Sequence, residues 1–225
     1  MKKFVNNVKS VVGTIDHTKD EEADKLSERL KTVYTIPSDI KSATSSMKST
    51  VDTVVNSLER VAKAYAKVGE EEGAAAESKK LAEEITAAVK KIKDEAACTY
   101  KKALESDEIA LKKLHDAVAE VRKLESDRKS KLNKYDVARV TVEQKEKEYE
   151  KKGKDISDSK KYEEEVASRD KHKKEYDEVN QSFKEKGEEL LKMKDAEYMT
   201  SMREWSKTTI AFIKAIDTQL ESVKP

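Results

Sequence analysis

The sequence has few of the residues that interrupt helices or staple small folds. It holds five glycines, two prolines, one cysteine and one tryptophan in 225 residues, and aromatics make up 5%. So few breakers exclude a fold of many short elements joined by tight turns. The single cysteine, Cys98, rules out an intrachain disulfide framework and fits a reducing compartment, the cytoplasm. His17, His115 and His172 are far apart, and none has a Cys or a second His at ligand spacing, so no metal site is expected. No run without a charged residue exceeds seven residues, whereas a spanning helix needs about 20 mostly apolar ones. An apolar signal-peptide core is also missing, so any membrane contact is expected to be peripheral. There is no glycine-rich phosphate loop and no ordered Ser/His/Asp set, and neither a cofactor nor enzymatic activity is expected.

Charge is what the chain has in abundance. Charged residues make up 41% of it, with 47 basic and 46 acidic side chains and a net charge of +1. That balance predicts no nucleic-acid partner. Ala, Glu, Lys, Leu and Ser dominate, a composition of long helices or coiled coils. The breakers divide the chain into a short segment over 1–15 and three long helices over 19–68, 74–152 and 158–223. Gly69 and Gly73 bracket three glutamates at the first boundary; Gly153 precedes Asp155, Ser157, Asp158 and Ser159 at the second.

Each long segment carries an apolar stripe with alternating steps of three and four. The first runs Leu26, Leu30, Val33, Pro37, Ile40, Thr44, Met47, Val51, Val54, Leu58, Val61, Tyr65 and Val68. Maintained over so many turns, this is a coiled-coil seam. Pro37 should kink the first helix. Gly187, on the seam of the third, permits close approach of another helix or marks a bend. Helices of about 50 to 80 residues are on the order of 75 to 115 Å long, and joined by short loops they fold up-down-up. The predicted fold is an all-α, long, kinked, antiparallel three-helix coiled coil. A rod of this kind has little core per residue, so oligomerisation is expected. The large apolar residues Tyr198, Met199, Met202, Trp205, Phe212 and Ile213 are expected in a dimer core, the alternative being core packing within one subunit.

Charge is unevenly spread. Residues 128–161 hold twelve basic and seven acidic residues, a net of +5, and the remainder of the chain is at −4. The cations are Arg128, Lys129, Lys131, Lys134, Arg139, Lys145, Lys147, Lys151, Lys152, Lys154, Lys160 and Lys161. Cations near an anionic leaflet each contribute about 1 kcal/mol, fading within a Debye length. At the N-terminus, Phe4, Val8, Val11, Val12 and Ile15 fall on one helical face, and Lys2, Lys3, Asn6, Asn7 and Lys9 occupy the rest. A short basic amphipathic helix of this pattern can lie in the headgroup region.

The segment Lys131-Leu132-Asn133-Lys134-Tyr135-Asp136-Val137-Ala138-Arg139 resembles the second-helix signature of amphiphysins in the BAR domain superfamily. Lys151-Lys152-Gly153-Lys154-Asp155 is similar to the basic tip of that family, and Thr18-Lys19-Asp20-Glu21-Glu22 to the start of its first helix. Tyr176, Asn180 and Phe183 also fit the third helix. The resemblance covers essentially the whole chain, as a BAR-only protein of the N-BAR kind. It implies a crescent-shaped antiparallel dimer, with itself or a related BAR chain, and a six-helix bundle at the dimer core. It further implies peripheral binding to anionic phospholipids, phosphoinositides included, and sensing and generation of curvature in endocytosis or vesicle trafficking. The expected lipid-binding residues are Arg128, Lys129, Lys131, Lys134, Arg139, Lys151, Lys152, Lys154, Lys160 and Lys161; Arg128 and Arg139 also fit the seam register, and their alternative is a half-buried structural role. Phe4, Val8, Val11 and Val12 are expected to insert into the leaflet. The alternative is a coiled-coil or spectrin-like spacer with no lipid role.

Overall fold

A computed structural model describes residues 17–156 and 159–223, so the amphipathic segment with Phe4, Val8, Val11 and Val12 lies outside the described residues. Among the described residues there is no strand. The helices are α1 (Glu21–Val33), α2 (Ile36–Glu70), α3 (Ala76–Lys91), a π-helix (Ile92–Ala97), α4 (Cys98–Ala110), α5 (Lys112–Lys151) and α6 (Lys160–Glu221). Along the sequence they fall into three runs of helix, or rods: α1 with α2, α3 through α5, and α6. The chain divides into two compact units. One comprises the residues through Tyr34 together with Asp116–Lys192; the other comprises Thr35–His115 and the residues from Met193 on.

Local chemistry sets where the rods start and break. Asp20 caps α1, its Oδ1 accepting the Ala23 N–H at 3.0 Å, with Glu21, Glu22 and Asp24 in the first turn facing the helix dipole. The first rod does not run on as one kinked helix. It stops at Val33 and restarts at Ile36, which puts Pro37 in the first turn of α2, where a missing N–H costs nothing. The second rod is also segmented, by the π-helix and by a break at Leu111 between α4 and α5.

In the first unit, α5 and α6 form an antiparallel hairpin. Its rungs are Tyr162 to Glu146 at 2.6 Å, Lys145 to Glu165 at 2.7 Å and Lys131 to Glu175 at 2.6 Å. Leu26, Leu30 and Val33 of α1 are buried in this unit, as are Val121 and Val142 of α5 and Tyr176, Phe183 and Leu190 of α6. Ion pairs from Lys184 to Glu22 and from Arg29 to Glu188 show α1 running in the same direction as α6. Gly187 is the close-approach residue of this packing. A Cβ there would lie 2.8 Å from Leu26 Cδ2 and 3.2 Å from Leu30 Cδ1.

In the second unit, α2 turns through Gly73, at φ +88°, into α3. The core combines Val51 and Val55 of α2, Ile92 and Ala97 of the π-helix, and Tyr100 and Leu104 of α4, with Phe212 and Ile216 of α6 packed against them. Tyr100 stacks on Phe212 with centroids 4.6 Å apart and gives its hydroxyl to a hydrogen bond with Thr209 Oγ1 at 2.8 Å.

The seam of α2 does not stay inside. Val51 is buried, but beyond it the buried positions are Val55, Ala62 and Gly69, a seven-residue ladder of shrinking side chains. Val54, Val61, Tyr65 and Val68, one step round the helix, are exposed. Two apolar stripes side by side on one helix cannot both face the same neighbours. The chain's own rods cover the narrow stripe of small residues and leave the bulky one open.

Gly187→Ala should be destabilising. Alanine gains about 1 kcal/mol of helix propensity, but overpacking against Leu26 and Leu30 costs about 1 to 3 kcal/mol. A net loss of about 1 kcal/mol is expected in chemical denaturation, and an equal or greater midpoint than the parent would show that α1 yields freely.

Candidate functional site

The turn between α5 and α6 is built by one glycine. Gly153, at φ +61°, follows the last turn of α5 in the left-handed conformation that a side chain resists. The Lys154 N–H reaches back to the Tyr149 carbonyl at 3.1 Å, and the Gly153 N–H to that of Glu150 at 3.1 Å. This pair of bonds satisfies orphan carbonyls and stops the helix. Ser159 starts α6, its carbonyl accepting from Tyr162 N at 2.8 Å. Around this short turn Lys151, Lys152, Lys154, Lys160 and Lys161 are all exposed. Of the five side chains, only Lys152 makes an ion pair with another described residue, to Glu148 at 3.6 Å. The turn is therefore a dense, hydrated cluster of cations held by a rigid helix end.

The cations further down α5 differ among themselves. Lys134 is exposed and has no ion pair among the described residues. Lys129 is exposed but holds Glu125 at 2.6 Å, and Lys131 is about one-third exposed and holds Glu175. Arg139 is three-quarters buried. Its guanidinium reaches Glu143 at 2.7 Å and Asp136 at 3.7 Å, and the Glu143 carboxylate helps hold its charge in place against partial burial.

Arg128 departs most from the lipid-binding expectation. Only 2% of it is exposed. Its Nε donates to Asn180 Oδ1 at 2.8 Å, an Nη2 donates to Asp24 Oδ1 at 3.1 Å, and its guanidinium lies 5.8 Å from the centre of the Phe183 ring. It joins α5 to α1 and α6 and presents nothing to a headgroup. A long stem and a planar fork suit it to bridging three rods from a seam position.

Other members of the Lys131–Arg139 signature are also spent on the fold. Tyr135 stacks on Tyr176 with centroids 6.3 Å apart. Asp136, with 1% of its surface exposed, accepts the Thr18 hydroxyl at 2.6 Å, the Thr18 N–H at 3.2 Å and a bond from His17 Nδ1 at 3.1 Å. In the sequence Asp136 is one of the seven acids of residues 128–161 and a member of the signature, with no anchoring role attached to it. The available signal was its place in the signature, opposite a Thr18 that stands two residues before a helix cap. Asp20 extends the network. Burial opposes its charge, but the Ala23 N–H, the Asn180 amide and Lys184 outweigh that and hold its carboxyl at about 2.

The second unit presents a different surface. Val54, Val61, Tyr65 and Val68 of α2 are exposed, and so are Met199, Met202, Trp205, Ile210, Ile213 and Leu220 of α6, with Ile213 at 59%. Of the aromatic and apolar cluster expected in a dimer core, Phe212 packs on Tyr100 within the chain, and Tyr198 is partly buried. Among the described residues, the large apolar residues left exposed all belong to this unit.

Among the described residues, no helix is long and apolar enough to cross a membrane. In fold, the chain is similar to the crystal structure of a BAR protein from Galdieria sulphuraria. The TM-score is 0.67 at 14% sequence identity, over 92% of this chain and 98% of that one. No family model and no curated protein matches the sequence. The all-α arrangement of three long rods is therefore that of a BAR fold.

Arg128→Ala should cost about 2 to 3 kcal/mol, as charged hydrogen bonds are lost from a buried site. In chemical denaturation this should appear as a lower midpoint, and an unchanged midpoint would return Arg128 to the surface cations. Asp20 gives a pH signature. Its carboxyl is held below its ordinary value of 3.8 at about 2, so its stabilisation is present above about pH 4 and is lost as pH falls towards 2. Thermal midpoints measured down this limb should fall less steeply in Asp20→Asn than in the parent.

Proposed function

We propose that this protein is a homodimeric, non-enzymatic module of the amphiphysin-like N-BAR kind. On this reading it binds anionic phospholipid membranes, phosphoinositides among them, from the cytoplasmic side. It senses and generates curvature there, in endocytosis or vesicle trafficking. The observation that carries the reading is the α5–α6 turn, where five exposed lysines are gathered on a helix end that a glycine has stopped sharply. A solvated stretch of helix would intersperse its charges with acids in i,i+4 pairs. Here the cations are concentrated and, Lys152 apart, make no ion pair with described residues.

The exposed apolar stripes of α2 and α6 support the dimer. Large apolar residues exposed in this number mark an interface in a protein that stays in solution. A second copy is the natural occupant, because a symmetric pairing buries the same stripes on both chains at once. Dimerisation doubles the number of lysine-rich turns, and two such turns on one dimer respond to the shape of a lipid surface as well as to its charge. Lys134 and Lys129 add cations along α5, and the Phe4, Val8, Val11 and Val12 face of the N-terminal segment adds an apolar wedge.

The test is co-sedimentation with phosphatidylserine vesicles across a salt series, with electron microscopy of the vesicles and the dimer mass from light scattering. Charge reversal at Lys151, Lys152 and Lys154 should lower binding at low salt by about tenfold or more, with the dimer intact. Met202→Glu with Ile213→Glu should yield a folded monomer that no longer forms tubes. A parent protein indifferent to anionic vesicles at low ionic strength would instead point to a helical spacer.

A further inference from the structure

The second unit carries a groove that membrane binding and dimerisation leave unused. It lies between α6 and the run made of α3, the π-helix and α4. Tyr100 meets Phe212 and Asp107 meets Ser201, so the two runs are antiparallel. Two open cavities of about 300 and 220 Å³ share Ala103 and Thr208 among their lining residues, which makes them one channel. Among the described residues, its lining comes from these two runs alone. It extends from Lys91 and Gln219 at one end to Leu111 and Glu197 at the other, about 30 Å at a rise of 1.5 Å per residue. The channel is open because small residues recur along both walls: Ala96, Ala103 and Ala110 on one, Ser201, Thr208 and Ala215 on the other. Steps of seven keep such residues on one face of a helix. Trp205 stands on the wall with 46% of its surface exposed. This is not the face of α6 that carries Met202, Ile213 and Leu220. At 3.6 residues per turn, the line through Ser201, Thr208 and Ala215 lies about 130° round the helix from those three.

The charges on the groove are nearly all of one sign. Glu95, Asp107, Glu197 and Glu204 line it, against Lys91 alone at one end. The chain as a whole is close to balanced, at +1, so this bias is local. Asp107 accepts the Ser201 hydroxyl at 2.7 Å, and Glu204 reaches Lys207 at 3.5 Å. Glu95 and Glu197 make no ion pair with a described residue. Carboxylates in this position repel lipid phosphate and nucleic acid alike, and they favour a cationic occupant. The floor of small side chains lets a third helix come close and seat large apolar side chains between its neighbours. We propose that this groove docks a basic amphipathic helix of a partner protein. The helix lies along the channel with its apolar face over the alanines and its lysines or arginines against the carboxylates, in the manner of helix-in-groove recognition. A channel of this length takes about twenty residues of helix. The acids gather towards the Glu197 end, so the more basic half of the partner helix belongs there. This docking site is independent of the membrane-binding reading.

The probe is a synthetic, tryptophan-free peptide of about twenty residues, with leucine at i, i+3 and i+4 spacing and lysine elsewhere. Trp205 is the chain's one tryptophan and reports from the groove wall. Titration should move its emission to the blue and saturate at one peptide per chain. The same peptide with glutamate in place of lysine should leave the emission unmoved. Ala211, Glu95 and Glu204 line the groove at exposed positions, so variants there should keep the parent's helicity and thermal midpoint. Ala211→Arg, which fills the channel and adds a cation, should weaken binding by about tenfold or more, and so should Glu95→Lys combined with Glu204→Lys. Val61→Glu with Val68→Glu, on the exposed stripe of α2, should leave binding within about twofold. A parent indifferent to the basic peptide, equal binding of the acidic one, or groove variants that bind like the parent overturn the docking site. A mass beyond that of the dimer, lost in Ala211→Arg, would put a second copy in the groove and overturn the partner helix.

Discussion

Within each unit a helix can hide only a narrow stripe of its surface from water, and the rest of this structure depends on that limit. A compact domain of this length would bury a thick apolar centre. Here the buried apolar residues form one line along each rod, and a large share of each helix faces solvent. Apolar burial therefore supplies cohesion but little discrimination, since one turn of such a stripe looks much like the next. Register has to come from groups with direction. In the first unit these are Arg128, which ties α5 to Asp24 and Asn180, and Asp136, which ties α5 to Thr18 and His17. In the second, the Tyr100–Phe212 stack and the Tyr100–Thr209 hydrogen bond fix α4 against α6.

The same limit explains why the two units carry different surfaces. The first closes its apolar stripes within the chain and keeps buried polar crosslinks, and its outside is left to lysines and glutamates. The second packs a ladder of small residues, Val55, Ala62 and Gly69, against its neighbours. The bulkier Val54, Val61, Tyr65 and Val68 are left exposed, as are Met199, Met202, Trp205, Ile210, Ile213 and Leu220 of α6. The lysine-rich turn and the exposed large apolar residues among those described thus belong to different units of one chain.

A basic stretch read from sequence is a population of cations with different employment. Lys151, Lys152, Lys154, Lys160 and Lys161 stand in water around a helix end, whereas Arg128 is enclosed by three rods. Arginine and lysine divide the work by their chemistry. The guanidinium is weakly hydrated and offers several donors in a plane, so it can be buried against a carboxylate, an amide and a ring at once. The strongly hydrated ammonium groups remain outside, where a phosphate could meet them.

The sequence by itself determined the helical class, the three rods, the turns at Gly73 and Gly153 and the concentration of charge near the second turn. These follow from periodicity, from the scarcity of breakers and from counting, all of which are local. The tertiary structure alone decided which of two adjacent stripes on α2 is covered, that Pro37 begins a helix instead of bending one, that Arg128 is spent on packing, and that Asp136 seizes a residue 118 positions away. The physical reason is common to all four. Helical spacing assigns a residue to a face of its own helix, but only the arrival of the other rods settles what that face meets.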